Sequence, residues 1–393
     1  MPRLAQFAIF FTFMLLLVTG VHFYFWRRLV VGPALPPPWR TVAGVAIVAL
    51  AASLPLAMFL SRALPQEVAR IVVYPMFVYM GVMFLLFFAL LFTDLGRLGH
   101  RAVLAVLHRP PVSEERRQVL ARATAGAVGA LVLGAGGLAL AWGLRRLVVR
   151  DVDVKLKGLP RGLDGFTVVQ ITDLHLGTTR GRAFMQEVVD RVNALRPDVV
   201  AVTGDLVDGS VSDLRSDVAP LGQLRSVHGT FFVTGNHEYY SGADAWIAEL
   251  RRIGVRVLRN ERVELRRGGD ALDLAGVDDH EAGRLLPHHG EDVDRALRGR
   301  DPVRPVVLLA HQPRAIFEAA RLGAGLVLSG HTHGGQIWPM HHLARLQQPY
   351  VWGLHRHPGS DTQIYVSAGT GFWGPPMRLG STAEITRVRL RSA

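Results

Sequence analysis

The 393-residue chain contains no cysteine, which excludes disulfide staples and thiolate metal ligation, though it selects no compartment. Acidic residues are scarce in the first 150 positions, which hold four of the 32 Asp and Glu but 15 of the 44 Lys and Arg. Eleven of the twelve net positive charges therefore belong to that half, and residues 151–393 are close to neutral. A near-neutral second half lacks the basic surface that grips a nucleic-acid polyanion, so a nucleic-acid partner is not expected. The excess base instead flanks apolar runs, where membrane topology and anionic headgroups account for it.

Those runs cover residues 4–26, 41–60, 71–93 and 123–144, none containing Asp, Glu, Lys or Arg. Each approaches or exceeds the ~20 residues that cross a hydrocarbon core. Four transmembrane helices are the expectation, with residues 1–150 a membrane region and 151–393 a catalytic domain. With no acid inside a run there is no proton relay, so transport is not expected. His22 is placed at a membrane interface, and Gly126, Ala130 and Gly134 form a small-residue stripe suited to close helix packing. The arginines after the first and third runs mark the cytoplasmic side once the basic cluster from Arg145 to Lys157 is assigned to the folded domain. Arg116-Arg117, ahead of the last run, resembles a twin-arginine export signal, although arginine pairs are as common at ordinary helix ends. Together these favour a retained anchor in a bacterial inner or plasma membrane and an extracytoplasmic second half.

After a connector at 145–160, short apolar runs alternate with helical patterns. Residues 166–172, 199–203, 230–234, 306–310, 326–329 and 364–367 read as buried strands. Phe184, Val188, Val192 and Leu195 mark one face of a helix that stops before Pro197, and 314–322 reads as another. Residues 255–277 read as a hairpin turning at Gly268-Gly269. The pattern is α/β, and in such sheets sites gather where strands end.

Five motifs sit at strand ends: Asp173-Leu174-His175, Gly204-Asp205-Leu206-Val207-Asp208, Gly235-Asn236-His237-Glu238, His311, and Gly330-His331-Thr332-His333. Singly, such residues are helix caps, turns or surface polar groups. Their ordered combination supplies the N and O donors needed to hold two cations about 3.5–4 Å apart. In this order they resemble the calcineurin-like metallophosphoesterase superfamily, over roughly residues 166–370. The resemblance implies a four-layer α-β-β-α sandwich and two divalent ions, for which Mn, Fe and Zn all suit an N/O site. It implies that Asp205 bridges both ions, that Asp173, His175 and His333 hold the first, and that Asn236, His311 and His331 hold the second. It casts His237 as the group contacting the leaving oxygen, oriented by Asp208, with Glu238 in support. The expected chemistry is in-line attack on phosphorus by a metal-bridging hydroxide, without a covalent enzyme intermediate.

Protein phosphatases of this superfamily carry Asp-Arg-Gly where this chain has Asp208-Gly209-Ser210. The missing arginine points away from phosphomonoesters and toward a phosphodiester or pyrophosphate. The segments 334–339 and 369–378 are similar to those of the membrane-associated branch, the transmembrane proteins with a metallophosphoesterase domain and bacterial phosphodiesterases including UDP-2,3-diacylglucosamine pyrophosphatases. That likeness implies a lipid-linked or envelope substrate. Trp338, Phe372 and Trp373 then face lipid or an acyl pocket, or else pack the sheet rim, and Arg378 is a candidate phosphate contact. His280, His288, His289, His341, His342, His355 and His357 have no motif context and read as ordinary polar residues, and Asp278-Asp279 as a turn. The alternatives are a nucleotide phosphohydrolase on the same fold and a non-catalytic membrane sensor.

Overall fold

The computed structural model describes residues 3–110, 112–144 and 147–393, so Arg145, at the head of the basic cluster, lies outside the described residues. The chain divides into two compact units, Met1–Ala141 with Gly374–Met377, and Trp142–Trp373 with Arg378–Ala393.

The first unit holds α1 (Arg3–Phe25), extended by a π-helical stretch at Trp26–Val31, then α2 (Trp39–Ala63), α3 (Gln66–Val106) and α4 (Glu114–Gly143). All four helical segments are long and apolar enough to cross a membrane. Large apolar side chains such as Phe13, Leu16, Val48, Phe59 and Leu133 point outward, the reverse of a water-soluble bundle. Three details add to the sequence reading. His22 is buried, with Nδ1 2.7 Å from the Val18 carbonyl and Nε2 2.6 Å from the Tyr79 hydroxyl, so it ties two helices together instead of marking an interface. Asp94 follows the third apolar run directly yet continues α3, where it accepts the Tyr24 hydroxyl at 2.7 Å and pairs with Arg28. At Gly126 and Gly134 an added Cβ would meet nothing within 4 Å among the described residues, so neither glycine serves a close helix contact there.

In the second unit the strands are β1 (Val148–Leu156), β2 (Thr167–Ile171), β3 (Val199–Thr203), β4 (Thr230–Val233), β5 (Arg256–Val257) and β6 (Glu261–Arg267). They continue with β7 (Asp270–Gly276), β8 (Val306–Leu309), β9 (Leu326–Ser329), β10 (Gly353–Arg356), β11 (Gln363–Val366) and β12 (Glu384–Ser392). One sheet runs β1-β12-β2-β3-β4-β5 and the other β10-β11-β9-β8-β7-β6. The central strands β2, β3 and β4 are parallel and buried on both faces, which is why they read as continuous Val and Phe runs. Facing side chains from the two sheets, among them Val168, Ala201, Phe231, Leu274, Leu309 and Leu328, form the central core.

Outside the first sheet lie α5 (Arg182–Ala194), α6 (Val211–Val218), α7 (Asn236–Ser241) and α8 (Ala243–Arg252). Met185, Val188, Val192, Leu214, Trp246 and Leu250 bury their apolar faces against it. Beyond these come α9 (Ala282–Leu285), α10 (Val293–Leu297) and α11 (Ile316–Arg321), and the last two pack on the second sheet through Val293, Leu297 and Ile316. The last helix, α12 (Met340–Gln347), has no buried side chain. The result is the four-layer α-β-β-α sandwich, preceded by four apolar helices.

The stretch 145–160, read as a connector, instead contains β1, parallel to β12. Its alternation was legible: Val154 and Leu156 enter the core, while Asp151 and Asp153 face out to Arg387, Arg389 and Arg391 of β12.

Candidate metal centre

The five motifs converge at the carboxyl ends of β2, β3 and β4 of one sheet and β8 and β9 of the other. Backbone conformation singles them out. Among the described residues ten non-glycine positions have positive φ, and five of them are Asp173 (53°), His175 (47°), Asp205 (51°), His331 (71°) and His333 (51°). Each such conformation costs about 1 kcal/mol or more and persists only where the surroundings enforce it. Gly204, at φ 87°, has no alternative, since a Cβ there would lie 2.7 Å from both the Gly235 nitrogen and His311 Nδ1.

Hydrogen bonds fix the imidazoles. His311 Nδ1 lies 2.8 Å from the Thr203 carbonyl oxygen, which can only accept, so Nδ1 carries the proton and Nε2 is left as a lone pair. That Nε2 faces Asp205 Oδ2 at 3.1 Å and His331 Nδ1 at 3.2 Å. His175 repeats the pattern: Nδ1 is 2.9 Å from Asp208 Oδ1, and Nε2 is 3.1 Å from His333 Nε2, itself 3.4 Å from Asp173 Oδ1. Asn236 Oδ1 is buried with no hydrogen-bond donor among the described residues. Ligand atoms of Asp173, His175 and His333 lie within 4.8 Å of one another, as do those of Asp205, His311 and His331. Two groups of clustered N and O donors, together with a buried carbonyl oxygen left without a donor, fit divalent cations well and are costly without them. Burial above all pulls the His331 imidazole down to about 3, leaving it neutral as a ligand must be.

His237 stands beside both groups. Its Nδ1 is 2.6 Å from Asp208 Oδ1, the same oxygen that holds His175. Burial disfavours its charged form, but Asp205, Asp208 and Glu238 outweigh burial and raise it to about 9. Nearby bound cations would pull it back down. Glu238 binds backbone: Oε2 accepts from Asp205 N at 3.0 Å and Gly235 N at 2.7 Å, and Oε1 from Leu206 N at 2.8 Å. It thereby clamps the β3 loop to the start of α7.

Comparison with known proteins bears on this arrangement. The calcineurin-like phosphoesterase family matches residues 166–335. A transmembrane protein with metallophosphoesterase domain from Danio rerio is 38% identical over 99% of this chain and 90% of its own length. The chain belongs to the calcineurin-like phosphoesterases. It is thus a metal-dependent phosphoester hydrolase. A protein of the same name from Bos taurus is 48% identical over 62% of this chain and 57% of that one. A Helicobacter pylori strain J99 protein, an uncharacterized metallophosphoesterase by name, is 41% identical over 63% of this chain and 65% of that one.

Around this calcineurin-like centre several sequence expectations change. Arg378 is not available to a substrate: it is fully buried, donating to the carbonyl oxygens of Gly371 at 2.6 Å and Ala368 at 2.7 Å and to Ser381 Oγ at 3.0 Å. A guanidinium surrounded by carbonyls holds the rim loop together. Phe372 is also buried, its ring 3.6 Å from the Arg180 guanidinium, which lies 4.2 Å from the Phe184 ring, so only Trp338 and Trp373 of the three rim aromatics are exposed. Asp278 and Asp279 lie in the turn region after β7 and are buried there: Asp278 takes both arms of Arg259 at 2.8 and 2.9 Å, and Asp279 accepts from Gln312 Nε2. Tyr240 was overlooked; its exposed ring lies 5.3 Å from that of His237, and Trp373 is 6.1 Å away on the same imidazole. The i, i+3 spacing on α7 was the available signal.

Proposed function

We propose that this chain is a membrane-anchored, two-metal phosphodiesterase or pyrophosphatase acting on a lipid-linked or envelope-derived substrate, with residues 1–150 as the anchor and 151–393 as the catalytic domain. The carrying observation is the pair of donor groups, Asp173, His175 and His333 in one and Asp205, His311 and His331 in the other, with His237 held beside them by Asp208. Asp173, His175 and His333 would hold one cation and Asn236, His311 and His331 the other, with Asp205 serving both. When bound, the cations supply Lewis acidity toward the phosphoryl group and acidify water. His237 has Nδ1 engaged by Asp208, so Nε2 is the atom that delivers a proton to the leaving oxygen, a contribution typically worth ~10²- to 10⁴-fold.

Two features support the substrate class. A side chain added at Gly209 would meet Leu214 at 3.0 Å, so no arginine clamp for a monoester is offered there. Met340, Leu343 and Leu346, spaced along one stripe of α12, are all exposed beside Trp338, as suits a helix lying at a lipid interface. An extracytoplasmic orientation in a bacterial inner or plasma membrane is supported by the basic cluster, because Arg150 pairs with Glu384 and Lys157 with Asp361 and neither need count toward topology. The exposed rings of Tyr240 and Trp373 flanking His237 favour a second reading, a nucleotide phosphohydrolase with a base stacked at the leaving-group side.

The test is to purify the full chain in detergent, measure its metals, and compare hydrolysis of a bis-aryl phosphate, an aryl monophosphate, a nucleoside diphosphate and a UDP-linked diacyl sugar. His237→Ala and Asp205→Asn serve as controls. Undiminished turnover in both variants would sink the site assignment, monoester preference the diester reading, and nucleotide preference the lipid-linked one. A reporter enzyme active only outside the cytoplasm, fused after Val149, is expected to give signal; silence places the domain inside.

A further inference from the structure

A second group of side chains of metal-ligating type, Asp244, His288 and His289, shares no residue with the centre. His289 is fully buried, with Nε2 3.0 Å from Asp244 Oδ1 and Nδ1 3.0 Å from the Tyr239 hydroxyl. His288, its neighbour in sequence, is exposed, yet turns Nε2 to within 3.5 Å of the other Asp244 oxygen. The two imidazoles stand 4.6 Å apart at 74°, and the ligand atoms of all three residues lie within 4.8 Å of one another. Asp244 is 62% exposed at its side chain, so the group has a buried wall and an open mouth where water completes a coordination shell. Its surroundings suit a cation. His289 Nε2 donates to Asp244 Oδ1 as it stands, and a metal would take the proton's place there, with the proton moved to Nδ1, where Asp278 Oδ2 lies 3.8 Å away. The nearby Arg259 is tied through both arms to Asp278.

We propose that Asp244, His288 and His289 form an auxiliary site for a borderline transition-metal dication of the zinc type, distinct from the centre at Asp205. Two imidazoles and one carboxylate with open positions match that class better than calcium or magnesium, which take oxygen ligands. Occupancy pins the first turn of α8 to the loop at 286–290. Through His289 and Tyr239, whose hydroxyl also meets Thr234 Oγ1 at 3.1 Å, it braces α7, the helix carrying Asn236 and His237.

The experiment compares full-length wild type with His288→Ala and Asp244→Ala, both exposed positions whose replacement leaves the core intact. Each protein is stripped with chelator, dialysed to equilibrium against limiting free zinc, and analysed for bound metal; cobalt substitution supplies a visible d–d spectrum. Wild type is expected to retain one equivalent more than either variant, with a cobalt band that both variants lose. Equal stoichiometry and identical cobalt spectra in all three proteins overturn the proposal, whatever the activity at the Asp205 centre.

Discussion

Replacing Asp208 by Asn removes one negative charge from two imidazoles at once, because a single oxygen lies 2.6 Å from His237 Nδ1 and 2.9 Å from His175 Nδ1. Without bound cations the His237 imidazole is raised from an ordinary 6.5 to about 9 against the pull of burial. That difference corresponds to about 3 kcal/mol of net preference for the charged form. Asp208 is the nearest contributor, with Asp205 Oδ2 at 4.0 Å, so its loss is expected to lower the imidazole by about one pH unit or more. The protonated ring is the form that can donate, so activity falls as pH rises through its pKa, and in the variant that alkaline limb begins at lower pH. A weakly held, partly deprotonated donor should lower kcat by ~10²- to 10⁴-fold. His175 loses its orienting partner as well, and metal affinity should weaken by ~10- to 100-fold. The assay is a pH series of kcat and kcat/KM on a bis-aryl phosphate at saturating metal, with a separate metal titration. Full kcat with an unmoved alkaline limb would refute both the donor role of His237 and the orienting role of Asp208.

Other outcomes follow from the same geometry. Asn236→Ala deletes the orphaned buried oxygen, so apo stability should change little while metal retained after dialysis drops; unchanged retention would remove Asn236 from the donor set. Arg378→Lys cannot reproduce the fork among the Gly371, Ala368 and Ser381 oxygens, and should cost about 3 kcal/mol by thermal or chemical denaturation, with KM nearly unaltered. A raised KM at unchanged stability would restore its role as a phosphate contact. Asp198 works against its partial burial, but Arg267 and the Thr167 amide and hydroxyl hold its carboxyl below the usual range. Its contribution is therefore present above the unfolded carboxylate pKa near 3.9 and is lost as pH falls through the lower folded value. Asp198→Asn should destabilise the catalytic domain by about 1–2 kcal/mol near neutral pH and by progressively less below pH ~4; an equal loss at both pH values would show that the charge is not involved.

Much of this protein was written locally. Apolar runs of spanning length, buried Val-rich strands and the motif order are properties of contiguous residues, so α1 to α4, β2, β3, β9 and the family resemblance could be read without coordinates. β12 was missed because its Arg-rich alternation makes sense only against the acidic edge of β1, more than 200 residues earlier. Arg378 was misjudged for the converse reason: an arginine in a glycine-rich loop reads as exposed until five backbone and side-chain oxygens are seen folded around it.

By itself the sequence determined the inventory of chemistry: nitrogen and oxygen donors but no thiol, an acid-poor apolar half, and Gly209 where a clamp would stand. Only the tertiary structure decided which donors share a point in space. Left-handed backbone at Asp173, His175, Asp205, His331 and His333, enforced by packing between two sheets, turns three separate loops inward. The same packing brings His288 and His289 to Asp244 with no motif to announce it. Local sequence encodes conformation through side-chain sterics and periodicity, whereas the meeting of distant side chains depends on the whole core closing, and no short segment carries that information.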